Sequence, residues 1–516
     1  MTQQDFPVTW DDPADAGLCF EYERDHCPDP MTPLGFELYF GPFLGGFGWA
    51  RAYHQNYYVF VWYNMPAGDS PPQVELEQVA AWVRAWHDEI IPEVEGLTQR
   101  FLRTDFDALS NDELASEIEA LPELRKRMGQ LHTRALLPHW LGGRHLLHAY
   151  KELTGSDDEL AALRLVQGYG SKSVEAGVAL WRLSRLATSI PAVEQLLRAR
   201  LDTPATLAAL AALERDPAAR PFLEAFSAFL DEFGWRSDLF ELAQPAWAED
   251  PTIPLHQLRT YLDLPGYDPA REQARLAAER DQAIERTMAS LDAEGRARLG
   301  AVLDVAQRSA SLQEDHNFYI DQRCAFAPRR LILAAARRLF HDPAEVFYLH
   351  ASELTGALRS GELDVETIAR QRREEMAAWA QVTPPRWIGA PPSDGQAAQM
   401  SPFASEEAAA NELRGRGTSA GVARGPARVL RSLSEADRLR PGDVLVARTT
   451  MPAWTPLFAV AAALVTEVGG MLSHPAVTAR EYGLPAVLNV AGATTRIRDG
   501  QLVEVDGTNG IVRIVL

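Results

Sequence analysis

Apolar residues recur three and four positions apart through most of the stretch from about residue 74 to 379. That is the spacing of amphipathic helices packing against one another. Long Ala/Leu/Arg/Glu segments at 158–188, 193–230, 267–310 and 326–340 carry the pattern. Ser110-Asn111-Asp112-Glu113 forms a capping box ahead of Leu114 and Ile118 and predicts a helix start there. Residues 1–65 are aromatic-rich and irregular; 57–63 (YYVFVWY) reads as a strand, with a partner expected near 37–40. After residue 412 the period changes. Short strands are predicted at 425–430, 443–447, 461–466, 486–490, 502–505 and 511–515, separated by turns such as Pro441-Gly442-Asp443. Between the two textures, Pro384-Pro385 and Pro391-Pro392-Ser393-Asp394-Gly395 have the composition of a flexible connection. The chain thus divides into a mainly α-helical body with a small β region (1–383), a linker (384–411) and an α/β domain (412–516).

Composition narrows the setting. A length of 516 residues suits two to four domains, and 46% hydrophobic content can fill their cores. No apolar run approaches 18 residues, so no membrane span is expected. The polar opening Met1-Thr2-Gln3-Gln4-Asp5 argues against a signal peptide. Cys19, Cys27 and Cys324 lack metal or redox spacing, which points to a reducing, cytoplasmic location. A net charge of −21 disfavours nucleic acid or an anionic membrane as partner. Residues 411–516 hold 12 Arg, no Lys and 9 acidic residues, a net +3 that leaves −24 on the remainder. A mildly basic module on an acidic body can dock back onto it electrostatically.

One segment carries candidate chemistry. An apolar strand ending at Thr466 runs into Gly469-Gly470, where a sharp turn with positive φ is expected. Ser473 is the predicted N-cap of a helix, Pro475 suits its first turn, and Gly483 with Pro485 ends it. His474 then lies at a helix N-terminus, where backbone N–H groups and the helix dipole favour an anion. An imidazole there can take up a phosphoryl group and pass it on.

The segment resembles the phosphohistidine signature of the phosphoenolpyruvate-utilising enzymes. It matches at Thr466, Gly469, Gly470, Ser473, His474, Ala476, Val477, Ala479, Arg480, Glu481, Gly483, Leu484, Pro485, Ala486 and Val487. Pro475 departs from the small residue usual in that family. The resemblance implies that 412–516 is a swivelling phosphohistidine domain, that His474 is the carrier, and that Thr466, Gly469, Gly470, Ser473 and Arg480 support its loop.

More loosely, Pro28-Asp29-Pro30-Met31-Thr32-Pro33-Leu34, Glu232 to Arg236 (EFGWR) and Glu314 to Asp321 (EDHNFYID) resemble the central region of rifampicin phosphotransferase. The family's complete enzymes carry an ATP-grasp domain, and the acceptor-like region here starts too near residue 1 to leave room for one. Only Lys126, Lys151 and Lys172 are present, none in a nucleotide-binding motif. The arrangement is similar to that of phenylphosphate synthase, whose separate subunits supply nucleotide binding. The resemblance implies a partner ATP-grasp subunit using ATP and Mg²⁺, and an acceptor that is a small hydroxylated, aromatic or apolar compound. A phosphocarrier or regulatory role, or a rifamycin-type antibiotic acceptor, are the alternatives.

Transfer to a hydroxyl needs a proton acceptor and cations. Glu314, His316, Asp321 and Arg323 offer both within a few residues, and Glu232 and Arg236 stand four apart. The aromatics Phe36, Tyr39, Phe40, Phe43, Phe47 and Trp49 are candidate pocket walls. His139, His145 and His148 have no carboxylate at helical spacing, so no metal site is expected.

Overall fold

The computed structural model describes residues 6–63, 74–199, 201–238, 240–392 and 411–515. The body is helical, as its periodicity predicts. Its longest element, Asn111–Thr154, begins with the expected capping box: Ser110 accepts from Glu113 N, and the Glu113 carboxylate receives Ser110 N at 2.7 Å. The long periodic segments are subdivided. Residues 158–188 form helices Glu159–Arg164 and Lys172–Thr188, parted by Gly168 and Gly170 at φ of +74° and +75°, a conformation glycine adopts without steric cost. Residues 193–230 fall into Pro191–Arg198, Thr203–Leu213 and Arg220–Phe233; 267–310 splits into Pro269–Ala289 and Ala293–Ser309. The breaks within 193–230 and 267–310 coincide with an Asp N-cap or a proline at the next helix's first turn, signals that outweigh continuous periodicity.

The body's small sheet has the order β2-β3-β1-β4, from β1 (Cys19–Tyr22), β2 (Ala50–Gln55), β3 (Tyr58–Tyr63) and β4 (Trp387–Gly389). Two expectations fail here. Residues 36–40 are a π-helical turn rather than a strand, because Thr32 caps Gly35 N and Pro33 starts a helix that runs on into them. The strand at Tyr58–Tyr63 instead pairs with β1 and β2. The expected linker also starts too early: Trp387–Gly389 pairs antiparallel with Cys19–Glu21 and belongs to the body. Residues 393–410 lie outside the described residues.

The C-terminal domain is an eight-stranded sheet, order β5-β12-β11-β7-β8-β9-β10-β6. Its strands are β5 (Glu412–Arg414), β6 (Arg416–Ser419), β7 (Val422–Val429), β8 (Val444–Ala447), β9 (Ala463–Thr466), β10 (Ala486–Leu488), β11 (Leu502–Asp506) and β12 (Ile511–Ile514). All six predicted strands are present; β5 and β6 were not foreseen. Strands β7 to β10 are parallel neighbours. Such strands are covered on both faces and read as continuous apolar runs, as Val444–Ala447 and Ala463–Thr466 do.

One apolar cluster spans both parts. Leu430, Leu433, Trp454, Leu457 and Phe458 of the domain pack with Leu180, Leu183, Leu255, Leu258 and Tyr261 of the body. Polar contacts frame it: Gln257 Nε2 donates to Ala453 O at 2.8 Å, and Glu481 accepts from Gly168 N and Gly170 N. Gly177 leaves room for Tyr482, since a Cβ there would sit 2.4 Å from the tyrosine oxygen. Among the described residues no helix is long and apolar enough to cross a membrane.

Candidate functional site

The β9 strand ends at Thr466, whose hydroxyl donates to Val468 O at 2.6 Å and closes the turn. Gly469 takes φ of +118°, as expected, whereas Gly470 does not have positive φ. Helix His474–Glu481 follows, with Pro475 in its first turn. Ser473 occupies the N-cap position, but its hydroxyl turns back to Gly470, donating to the carbonyl at 2.8 Å, and makes no bond to the helix. It locks the loop rather than the helix end. Arg480 donates to Thr418 O at 3.0 Å; burial lowers its pKa to about 10, and its role here is to tie the helix to β6.

His474 is 7% exposed and faces the body. Its Nδ1 lies 2.7 Å from Glu314 Oε2, and Glu314 is fully buried. Burial pushes the Glu314 carboxyl up, but the charge and hydrogen bond of His474 outweigh it and hold the group below the ordinary value. A carboxylate there fixes the proton on Nδ1. Nε2 is buried and without a hydrogen-bond partner among the described residues, so its lone pair is left free.

His474, Ser473 and Gly470 form one wall of a cavity of about 450 Å³ between domain and body. The opposite wall is aromatic: Phe40, Phe43, Phe47, Trp49, Tyr63, Trp140 and Phe240. Of the six aromatics proposed from the sequence, four line it. Tyr39 is buried behind, donating to Asp321 O, and Phe36 stacks on His54. Polar groups converge at two places. His26 lies 3.1 Å from Glu23 Oε1, and Tyr63 donates to the other Glu23 oxygen at 2.9 Å. The His26 side chain is about half exposed, so burial weighs little against the charge and hydrogen bond of Glu23, which favour its protonated form. The second group is His132, His316 and Asp321. His132 Nδ1 stands 3.0 Å from Asp321 Oδ1, and the His132 and His316 rings meet edge to face. Burial holds His316 neutral, with its pKa near 4.

Three of the six acceptor-side candidates therefore reach the site: Glu314 at His474, and His316 and Asp321 in the cavity wall. The others do not. Glu232 is exposed and meets Lys172 at 3.4 Å. Arg236 lies past the end of helix Arg220–Phe233, so the four-residue spacing brings the two to no common face; it donates to Pro452 O at 2.8 Å and to Lys172 O at 3.1 Å. Arg323 packs over Trp235, Phe318 and Tyr319 beside Glu95. His139 and His145 bond backbone carbonyls; His148 pairs with Glu152 at 3.2 Å, a carboxylate four residues on, contrary to the expectation that none stood at helical spacing.

Sequence reasoning missed His132, His26 and Glu23. His132 could have been flagged, since it interrupts the apolar face marked by Met128, Leu131 and Ala135. Glu23 and His26 sit in an irregular segment whose geometry has no periodic signal. The pairing of His316 with Asp321 was hidden by a π-helical turn at Asn317–Gln322, which brings residues five apart to one face.

Residues 439–510 match the family described as PEP-utilising enzyme, mobile domain, and residues 107–314 match the rifampicin phosphotransferase fourth domain. The whole chain is 32% identical to part of chondramide synthase cmdD of Chondromyces crocatus, covering 14% of that protein. It is 33% identical to a rifampicin phosphotransferase of Streptomyces sviceus over 67% of this chain and 40% of the relative. It is 33% identical to the prodigiosin synthesizing transferase PigC of Serratia marcescens over 58% of this chain and 35% of the relative. The chain thus spans about half or less of the length of these curated relatives. The C-terminal domain is thus similar to the mobile domain of the phosphoenolpyruvate-utilising enzymes, and the helical body to the fourth domain of rifampicin phosphotransferase.

Proposed function

We propose that the chain is a phosphotransferase in which His474 Nε2 accepts a phosphoryl group and delivers it to the hydroxyl of a small aromatic or apolar compound bound in the cavity. The observation that carries this reading is the unpartnered Nε2 of His474 in the cavity wall, with Nδ1 held by Glu314. When the N–P bond breaks, the Nδ1 proton stays on the ring, so the imidazole departs as a neutral molecule. The new O–P bond forms on the acceptor oxygen as its proton passes to the Asp321 carboxylate in the cavity wall, whose Oδ2 has no hydrogen-bond partner among the described residues. The His26 imidazolium supplies positive charge for the moving phosphoryl group. A cavity of about 450 Å³ suits a small organic molecule, and its aromatic wall favours an apolar or aromatic one.

The donor, on this reading, is ATP with Mg²⁺ on a partner ATP-grasp subunit, and the domain swings between that site and the docked position. The buried interface means that swinging exposes Leu433, Trp454 and Phe458, so the partner's surface has to offer them comparable apolar cover. The relatives named for rifampicin and for prodigiosin synthesis support an acceptor of drug-like, ring-containing chemistry. The test is to combine the chain with the partner ATP-grasp protein, β-labelled ATP, and phenol, benzyl alcohol and a rifamycin in separate reactions. Label passing from protein to one of these compounds supports the reading. Label that stays on His474 with every hydroxyl compound would instead make the chain a phosphocarrier.

A further inference from the structure

We propose that His132, His316 and Asp321 form a binding site for a zinc-class divalent cation in the wall of the cavity. One ligand atom from each lies within 4.8 Å of the others, and all three side chains are buried. His132 Nδ1 is 3.0 Å from Asp321 Oδ1 and His316 Nε2 is 3.7 Å from Asp321 Oδ2. These two spacings, to different oxygens of Asp321, lie near the edge of about 3.3 Å expected for a tetrahedron with metal–ligand bonds near 2.0–2.1 Å, and the widest separation in the set, up to 4.8 Å, closes when the ion binds.

The decisive detail is the proton count. His316 Nδ1 lies 2.6 Å from Leu312 O, an acceptor, so Nδ1 carries the hydrogen. The neutral ring then presents a bare lone pair at Nε2, aimed at Asp321 Oδ2. That oxygen is buried, in a residue 1% exposed, and has no hydrogen-bond partner among the described residues. Two acceptors therefore face each other with no proton between them, an arrangement that costs free energy unless a cation joins them. A ring nitrogen bonded to a backbone carbonyl is also the outer arrangement that orients metal-binding histidines. Arg125 contributes charge to the surroundings of Asp321 but is directed over the Tyr39 and Phe43 rings.

Two imidazoles and one carboxylate select a borderline transition cation over Mg²⁺ or Ca²⁺, which prefer oxygen ligands throughout. Three protein ligands leave a coordination position open, and all three residues border the cavity. Under the phosphotransfer reading that position is where an acceptor oxygen would bind; the binding claim itself does not depend on that reading.

The test uses tag-free, chelator-stripped full chain without ATP or acceptor. Titration with ZnCl₂ by calorimetry should show one site. Co²⁺ in its place should give the visible absorption of a four-coordinate ion. Asp321→Asn and His132→Gln should each weaken binding by at least about 100-fold, the upper end of what losing an outer-shell partner costs. His148→Ala, at the exposed His148–Glu152 pair, should leave it unchanged. Absence of a stoichiometric site in the wild type, or equal affinity in Asp321→Asn and His132→Gln, overturns the proposal. Because no phosphoryl chemistry is involved, that outcome leaves the role of His474 to its own test.

Discussion

Replacing Glu314 separates loading of His474 from its discharge. Glu314 belongs to the body and touches the mobile domain only when docked, through the 2.7 Å contact with His474 Nδ1. A hydrogen bond to a charged group contributes about 1.5–3 kcal/mol net and a neutral one about 0.5–1.5 kcal/mol. Glu314→Gln keeps an acceptor oxygen and loses the charge, a difference of about 1–1.5 kcal/mol, or roughly 5- to 10-fold in rate at 1.4 kcal/mol per decade. Glu314→Ala removes the bond entirely and should slow discharge about 10- to 100-fold. The assay is a single-turnover chase: His474 is loaded with labelled phosphoryl, donor and nucleotide are removed, and loss of label to the acceptor is followed. Loading should proceed at the wild-type rate in both variants. The reasoning is refuted if loading and discharge fall together, or if the Ala variant discharges as fast as wild type.

Three further outcomes follow from particular contacts. Gly177→Ala should raise the helix propensity of Lys172–Thr188 by up to about 1 kcal/mol yet weaken docking, because its Cβ meets the hydroxyl of the partly buried Tyr482; unchanged turnover would contradict that. Asp238 accepts from Leu433 N and from Trp454 Nε1 across the interface, and burial raises its pKa from 3.8 to about 6. A raised carboxyl pKa favours the docked state below its ordinary value, and that contribution is lost as pH rises through about 6. Trp454 emission should therefore titrate near pH 6 in wild type and not in Asp238→Asn; identical curves would refute it. Trp49→Ala should raise KM for an aromatic acceptor about 2- to 12-fold, an aromatic contact being worth about 0.5–1.5 kcal/mol beyond its area, with loading of His474 unaffected.

Local signals were legible in the sequence, and long-range ones were not. The capping box at Ser110, the positive φ at Gly469 and the apolar strands of the C-terminal sheet each depend on neighbours a few residues away. Strand β4 was unreadable because its pairing with Cys19–Glu21 joins residues more than 350 apart in a proline-rich stretch. The site divides in the same way. The segment around His474 stood out as a unit, whereas its partner Glu314 was one acidic residue in a group until the fold placed it 2.7 Å away. Arg236 and Arg323 had the charge a phosphoryl site needs, but backbone carbonyls and aromatic rings claim them. His26, in a loop without periodicity, lines the cavity beside Glu23 instead.

The central claim is that His474 Nε2 carries the phosphoryl group and gives it up within the cavity. The most direct measurement is phosphorus NMR of the full chain after incubation with the ATP-grasp protein proposed as donor and ATP, before and after addition of a hydroxyl acceptor. The account predicts one acid-labile resonance of an Nε2-phosphorylated histidine, absent in His474→Ala, that disappears as an O-phosphorylated product grows in. A phosphohistidine signal that survives in His474→Ala, or one assigned to Nδ1, would contradict it.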